Sequence, residues 1–426
     1  MTTTFERSPR RFTPRAPQSH LMRNGYALMA NTAVTAVLGL AYWLLAARLY
    51  SAAAVGAGAA LVSAVLFVSG VSQFNFMGAL TRFLPIAGDL SRRFLVATYA
   101  ISLAGSLVLG TAAALAARWW APGGAAIGPV FVAGVATWTI FVLQDSALTA
   151  VRQAVWVPVE NGLFGVAKIG LLAACAGLAI GKTTGSGILA SWTLPAAACA
   201  IPVNLALFRH FIPAHADGRP GIPLTRRRVA RFVAGDYLGA LCNQALLYLM
   251  PLLVVAQAGR TSGGHFFVAW TIASTMDLLA TNLATSMTVE GALDEERAAS
   301  FGREVVRRVA IVLLPIAVGT ILFASLLLSP FGAAYRDNSA TLLRLLAAAT
   351  LPRALATIAI AFGRIEGRVS RIAKIQASQA ALVLGLAALL VPRLGIAGAG
   401  VAAIIGQTVV TAAVLPGLRT RLAGTS

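Results

Sequence analysis

The chain has 426 residues, 58% of them hydrophobic and 11% charged, against roughly 25% charged in an ordinary soluble domain. Its apolar stretches reach the roughly 20 residues that cross a bilayer as helix, which excludes a soluble single-core protein. They are continuous rather than alternating, which excludes a β-barrel, and the net charge of +20, a nucleic-acid signal in a soluble protein, is read here as loop charge beside membrane spans.

In chain order, residues 1–22 are polar, carry Arg7, Arg10, Arg11 and Arg15, and contain no apolar stretch. They are expected to form a disordered cytoplasmic basic tail that touches anionic lipid, not a cleavable signal. Spans are predicted near 26–47, 53–76, 94–117, 121–144, 157–181 and 187–208, giving an N-terminal lobe over 23–208. Residues 209–231, rich in Pro, Gly and Arg, are a cytoplasmic basic linker at the midpoint. Spans near 232–256, 264–288, 309–330, 340–363, 372–391 and 394–418 follow, giving a C-terminal lobe over 232–418 and a cytoplasmic tail over 419–426. Asp294, Glu295 and Glu296 read as a solvated loop face.

The expected fold is therefore all-α and integral to the membrane, with about twelve transmembrane helices in two six-helix lobes. Matching span starts are offset by 206 to 219 residues, and Asn31/Asn243 and Arg48/Arg260 are both 212 apart, with Gly187/Gly400 at 213. Six spans per lobe insert both halves in one orientation, so a pseudo-two-fold axis runs along the membrane normal. With the N-terminus inside, 25 Lys and Arg face the cytoplasm, 7 face out and 2 lie mid-span. That asymmetry places both termini in the cytoplasm.

Small residues such as Gly56, Gly58, Gly398 and Gly400 suit close helix packing, and Pro195, Pro202, Pro251, Pro315 and Pro352 fall inside spans. Cys175, Cys199 and Cys242 read as packing residues, since none has metal-site spacing. There is no P-loop, and His210 and His215 lack acidic partners at metal spacing, so no cofactor, ATP hydrolysis or enzyme chemistry is expected.

Charges at membrane depth carry the functional signal. Lys168, Asp277 and Arg353 lie 11 to 14 residues into their spans, near the midplane at about 1.5 Å per residue. A lipid-facing charge there costs at least about 2.5–3.5 kcal/mol. They must face a cavity or one another, and a buried ion pair of Asp277 with Arg353 or Lys168 is the structural alternative. Asp145, Glu160 and Asp236 lie near cytoplasmic span ends, where they can reach the interface, and solvated and structural roles are both open for them. Asn31, Asn75 and Asn243 sit in the first two spans of each half, or at their ends, and suggest a polar cleft between lobes.

The stretches NTAVTAVLGLAYWLLAARLYS from Asn31, VSQFNFMGALTRFLP (71–85) and LQDSALTAVRQAVWVPVENGLFGVAKIGLL (143–172) resemble bacterial polysaccharide-biosynthesis flippases. These belong to the multidrug/oligosaccharidyl-lipid/polysaccharide exporter (MOP) superfamily. The resemblance implies a V-shaped pair of lobes passing the head group of an undecaprenyl-pyrophosphate oligosaccharide across the bacterial plasma membrane by alternating access. It implies a lipid-linked saccharide and membrane lipids as partners, other polysaccharide-assembly proteins beside them, and no nucleic acid. Basic residues facing the pyrophosphate would come from Arg48, Arg82, Arg152 and Lys168, with Lys168 best placed by depth. Two other readings remain: an H⁺- or Na⁺-coupled drug antiporter of the same superfamily, which would need Asp277, and a membrane glycan polymerase or ligase, which the short outside loops disfavour.

Overall fold

The computed structural model describes residues 18–117, 124–216, 225–293 and 298–423, with side chains except at 18–30, 117, 124–127, 236, 286–293, 298, 299 and 301. Most of the basic tail, part of the linker, the Asp294–Glu296 run, the Asp236 side chain and the last three residues lie outside the described set. No strand occurs among the described residues.

Helix α1 spans Gln18–Leu49, α2 Ala52–Ser72, the short α3 Phe76–Phe83, and α4 Ser91–Ala117. Helices α5 (Gly124–Ala150), α6 (Trp156–Gly177) and α7 (Ser186–Ala206) complete the first lobe. The second lobe holds α8 (Arg226–Leu293), α9 (Ala298–Leu322), α10 (Ala333–Ile365), α11 (Val369–Leu394) and α12 (Ile396–Ala423).

Eleven helical stretches are long and apolar enough to cross a bilayer, and one of them, 237–285, has 49 residues. At 1.5 Å per residue that is about 73 Å, more than twice a hydrocarbon core of about 30 Å. The excess is resolved at Gly259, whose φ of 85° and ψ of 168° break the helix. The two arms fold back there. A Cβ built on Gly263 would lie 2.2 Å from Val255 Cγ2. The described residues therefore make twelve crossings. The connection expected over 257–263 is reduced to one residue, because glycine alone tolerates that backbone at no steric cost.

The outer surface carries apolar side chains, among them Val108, Leu163, Ile201, Ile311 and Leu389, each more than half exposed. That is the lipid-facing inversion expected of a spanning bundle. Polar side chains turn inward instead, including Gln144, Glu160, Lys168, Gln376, Gln379 and Gln407.

The first lobe differs from the sequence expectation at the end of α2. The helix stops at Ser72, and Phe74 (φ 47°) and Asn75 (φ 60°) turn the chain in left-handed conformations. An aromatic residue there is a steric outlier. Phe74 is pinned by packing, its ring 6.3 Å from that of Tyr237 and 2.8 Å from where a Cβ on Gly105 would lie. The turn releases α3, whose Leu80 joins Leu84, Leu148, Val151, Val157, Leu207 and Ile212 in an apolar cluster at one end of the lobe.

Glycines set the helix spacing where the sequence suggested. A Cβ on Gly58 would lie 2.7 Å from Ile188, and one on Gly400 2.7 Å from Leu345. Gly187 and Gly398 near the starts of α7 and α12 would meet the carbonyls of Ile180 and Leu390 at 2.4 and 2.5 Å. Gly187 and Gly398 are thus the structural equivalents, and the pairing of Gly187 with Gly400 is one of sequence only.

Candidate functional site

A cavity of about 390 Å³ lies between the lobes. From the first lobe it is lined by Thr35, Gly39 and Trp43 of α1, Trp138 of α5, Asn161, Phe164 and Lys168 of α6, and Trp192 of α7. The second arm of α8 supplies Thr271, Ser274, Thr275 and Leu278. None of the described residues that line it is acidic. On this side the lobes touch beyond the cavity, where the Trp43 and Phe267 rings are 4.4 Å apart and Arg48 Nε donates to Pro330 O at 2.6 Å.

Among the described residues Lys168 is the only charged one lining this cavity, and it is 6% exposed. Its Nζ lies 4.3 Å from the Trp192 ring centroid, 4.9 Å from Phe164 and 5.1 Å from Tyr42. The Tyr42 hydroxyl shares a 2.7 Å hydrogen bond with Ser191, which fixes that ring. No ion pair to Lys168 exists among the described residues. Three ring faces balance its charge, an interaction of about 2 kcal/mol or more when desolvated. The ammonium is thus stabilised without being neutralised, and it stays available to an anion entering the cavity.

Asp277 and Arg353 pair with each other and not with Lys168. Arg353 Nη1 donates to Asp277 Oδ2 at 2.8 Å, with both side chains about one-fifth exposed. They line a void of about 20 Å³ inside the second lobe, together with Trp270, Thr350 and Gln407. Ser274 lines this void and the central cavity alike, so the ion pair stands one layer behind the cavity wall.

The remaining candidates are dispersed. Arg48 is exposed beyond the cavity and spent on Pro330. Asn31 lies a turn below Thr35, its Oδ1 buried with no hydrogen-bond partner among the described residues. Asn75 forms the α2–α3 turn, Asn243 is exposed on α8, and Arg152 sits in the α5–α6 turn at φ 64°.

Of the two roles left open for Asp145 and Glu160, the structure gives Glu160 a structural one, while the Asp145 side chain is half-buried. Glu160 is 4% exposed. Gln144 Nε2 donates to Glu160 Oε1, and Asn204 Nδ2 donates to Gln144 Oε1. Asn161 Nδ2 donates to Asp145 Oδ2 at 3.0 Å. Asp145 Oδ1, Glu160 Oε2 and Asn204 Oδ1 are buried with no hydrogen-bond partner among the described residues. The apolar cluster of α3 with the ends of α5, α6 and α7 packs at this end of the lobe. Because Asn161 also lines the cavity, it joins the cavity to this acidic network.

No protein-family model matches the chain, and no curated protein matches it. Solved structures do. An inward-facing multidrug-resistance MATE family transporter of the MOP superfamily superposes with a TM-score of 0.66 at 16% identity, covering 92% of this chain and 95% of that one. An outward-facing conformation of such a transporter gives 0.62 at 17% identity over 96% of both chains. The fold is that of the MATE transporters. A MOP superfamily transporter from Pyrococcus furiosus Vc1 (DSM3638) gives 0.63 at 17% identity, again over 96% of both chains. At these identities the likeness is one of architecture, a multi-pass helical bundle of two lobes.

Proposed function

We propose that the chain is a MOP superfamily transporter that flips a lipid-linked oligosaccharide of the undecaprenyl-pyrophosphate type across the bacterial plasma membrane by alternating access, for surface polysaccharide synthesis. It works with both termini in the cytoplasm, beside other polysaccharide-assembly proteins, and performs no covalent chemistry. The observation that carries this reading is Lys168: an ammonium held by ring faces in an interlobe cavity without an acidic lining residue. Such a cavity attracts a pyrophosphate and repels a cation, and the edges of Trp43, Trp138 and Trp192 in its wall supply an apolar lining.

At about 390 Å³ the cavity has the size of a small-molecule pocket. An oligosaccharide head group therefore requires the lobes to part around it. In proteoliposomes, Lys168→Ala is expected to slow head-group translocation at least about tenfold, the loss of one charged contact. Unchanged translocation in that variant rules out the cargo site.

A second reading, an H⁺- or Na⁺-coupled small-molecule antiporter, is favoured by the unpartnered oxygens of Asp145 and Glu160. It moves the coupling role away from Asp277, which Arg353 occupies. Drug-dependent proton or Na⁺ flux lost in Asp145→Asn or Glu160→Gln, and retained in Lys168→Ala, selects this reading over the first.

A further inference from the structure

A second cavity, of about 310 Å³, is lined by Arg82 and Phe83 from α3 and by Arg227, Arg228, Arg231 and Phe232 from the first arm of α8. It straddles the lobes. The Phe83 and Phe232 rings meet edge-on across the seam, 5.3 Å apart. Arg82 Cζ stands 4.9 Å over Phe232, and Arg228 Cζ 5.9 Å over Phe83. The arginines are therefore held by aromatic faces and aimed at one space.

Their charges are uncompensated among the described residues. None of the four forms an ion pair or side-chain hydrogen bond with a described residue, and no described acidic residue lines the cavity. Three of them occupy the first turns of α8, which has no acid in its first turn. Cations are disfavoured at a helix N-terminus, where the dipole is positive. Loop placement alone explains arginines on this side of a membrane, but not four converging on one pocket at a positive helix end. An oxyanion settles both costs, and guanidinium forks match its geometry. The depth fits a lipid: Arg231 lies six residues before the apolar stretch that starts at Tyr237, about 9 Å along the helix, within snorkelling reach of the headgroups. Basic pockets between spans on the cytoplasmic side suit anionic headgroups.

We infer that this cavity is a phosphate-oxyanion site filled by the headgroup of an anionic phospholipid, which ties α3 of one lobe to α8 of the other. The inference is independent of the cargo. Bound lipid would favour the lobe arrangement in which Arg82 and Arg228 face each other, and so tune the conformational cycle.

The test places the full chain in nanodiscs of phosphatidylcholine with and without phosphatidylglycerol and reads lipid affinity and apparent Tm. Phosphatidylglycerol should stabilise the wild type. Arg82→Gln with Arg228→Gln should weaken its binding about 30-fold, at about 1 kcal/mol per arginine, while remaining at least as stable as the wild type in pure phosphatidylcholine because repulsion is relieved. Arg92→Gln with Arg93→Gln, equal charge removed from the start of α4, should leave the lipid effect intact. Equal losses in both double variants would reduce the effect to diffuse surface charge and overturn the site. So would full stabilisation of the wild type by inorganic pyrophosphate in phosphatidylcholine with no response to phosphatidylglycerol.

Discussion

Gly56 and Gly264 touch across the lobes in a reciprocal way. A Cβ on Gly56 would lie 1.9 Å from the carbonyl oxygen of Arg260, and one on Gly264 would lie 2.1 Å from that of Ala52. Each glycine thus meets the residue four positions before the other. The two are 208 residues apart, as are Ala52 and Arg260, within the offset that relates the halves of the sequence. Reciprocal contacts of this kind mark a two-fold axis, so the pseudo-symmetry axis passes through the crossing of α2 with the second arm of α8. Only residues without a side chain let the backbones meet there.

Gly56→Val and Gly264→Val should therefore have matching effects, since each wedges the same crossing. Both should expose the layer beneath, where Trp43 meets Phe267. A cysteine at 267 in a background without the native cysteines would report it, reacting faster with an impermeant maleimide applied on the Ala52 side. Transport should fall at least about tenfold in both. Unchanged labelling and transport in either variant would contradict a gate at this crossing.

The Asp277–Arg353 pair predicts a double-mutant cycle. Asp277→Asn leaves a guanidinium in a narrow void without its partner, and Arg353→Gln leaves a carboxylate. Each single change should cost about 3 kcal/mol of stability, while the double variant should recover much of that loss. Thermal unfolding in detergent measures all four corners. Additive losses would mean the two charges do not act as a pair.

The apolar cluster under α5 and α6 predicts a link between packing and carboxylate access. Leu80→Ala should cost about 2–4 kcal/mol as a fully buried large-to-small change. It should also open Glu160 and Asp145 to a water-soluble carbodiimide, read residue by residue by mass spectrometry. Modification equally fast in the wild type would show that these carboxylates are already wetted.

How far the sequence reached depends on which physics each feature uses. Spans follow from local hydropathy, so twelve crossings were legible, including the pair that shares α8 around Gly259. The depth of Lys168 was likewise countable along one helix. Its cage was not, because Tyr42 and Trp192 come from other helices and aromatic residues are ordinary span components. Distance from a span end left Asp145 and Glu160 open to a solvated or a structural role. Glu160 takes the structural one because Gln144 on α5, itself held by Asn204 on α7, donates to it, a contact between helices that hydropathy does not register. Asp277 and Arg353 were legible as a possible pair by charge and depth, but choosing between Arg353 and Lys168 required the packing of α8 on α10.

Glu366, in the turn between α10 and α11, gives a prediction in pH. It accepts hydrogen bonds from Nε and Nη2 of Arg421, the latter at 3.1 Å, and forms an ion pair at 3.1 Å with Arg368 Nε. Partial burial pushes its carboxyl up, but the Arg421 hydrogen bonds and the charges of Arg421, Arg368 and Arg371 outweigh that and hold it below the ordinary carboxylate range. A carboxyl depressed in the folded state contributes stability that is fully present above its unfolded pKa, about 4.3 for Glu, and is lost as pH falls through the folded value. Apparent Tm should therefore be insensitive to Glu366 protonation from pH 7 down to about 5 and decline below that. Glu366→Gln should lower Tm at pH 7 and flatten the acid decline, because the glutamine cannot titrate. An acid limb of unchanged steepness in Glu366→Gln would assign the decline to other carboxylates and leave the α10–α12 tie without a role in acid stability.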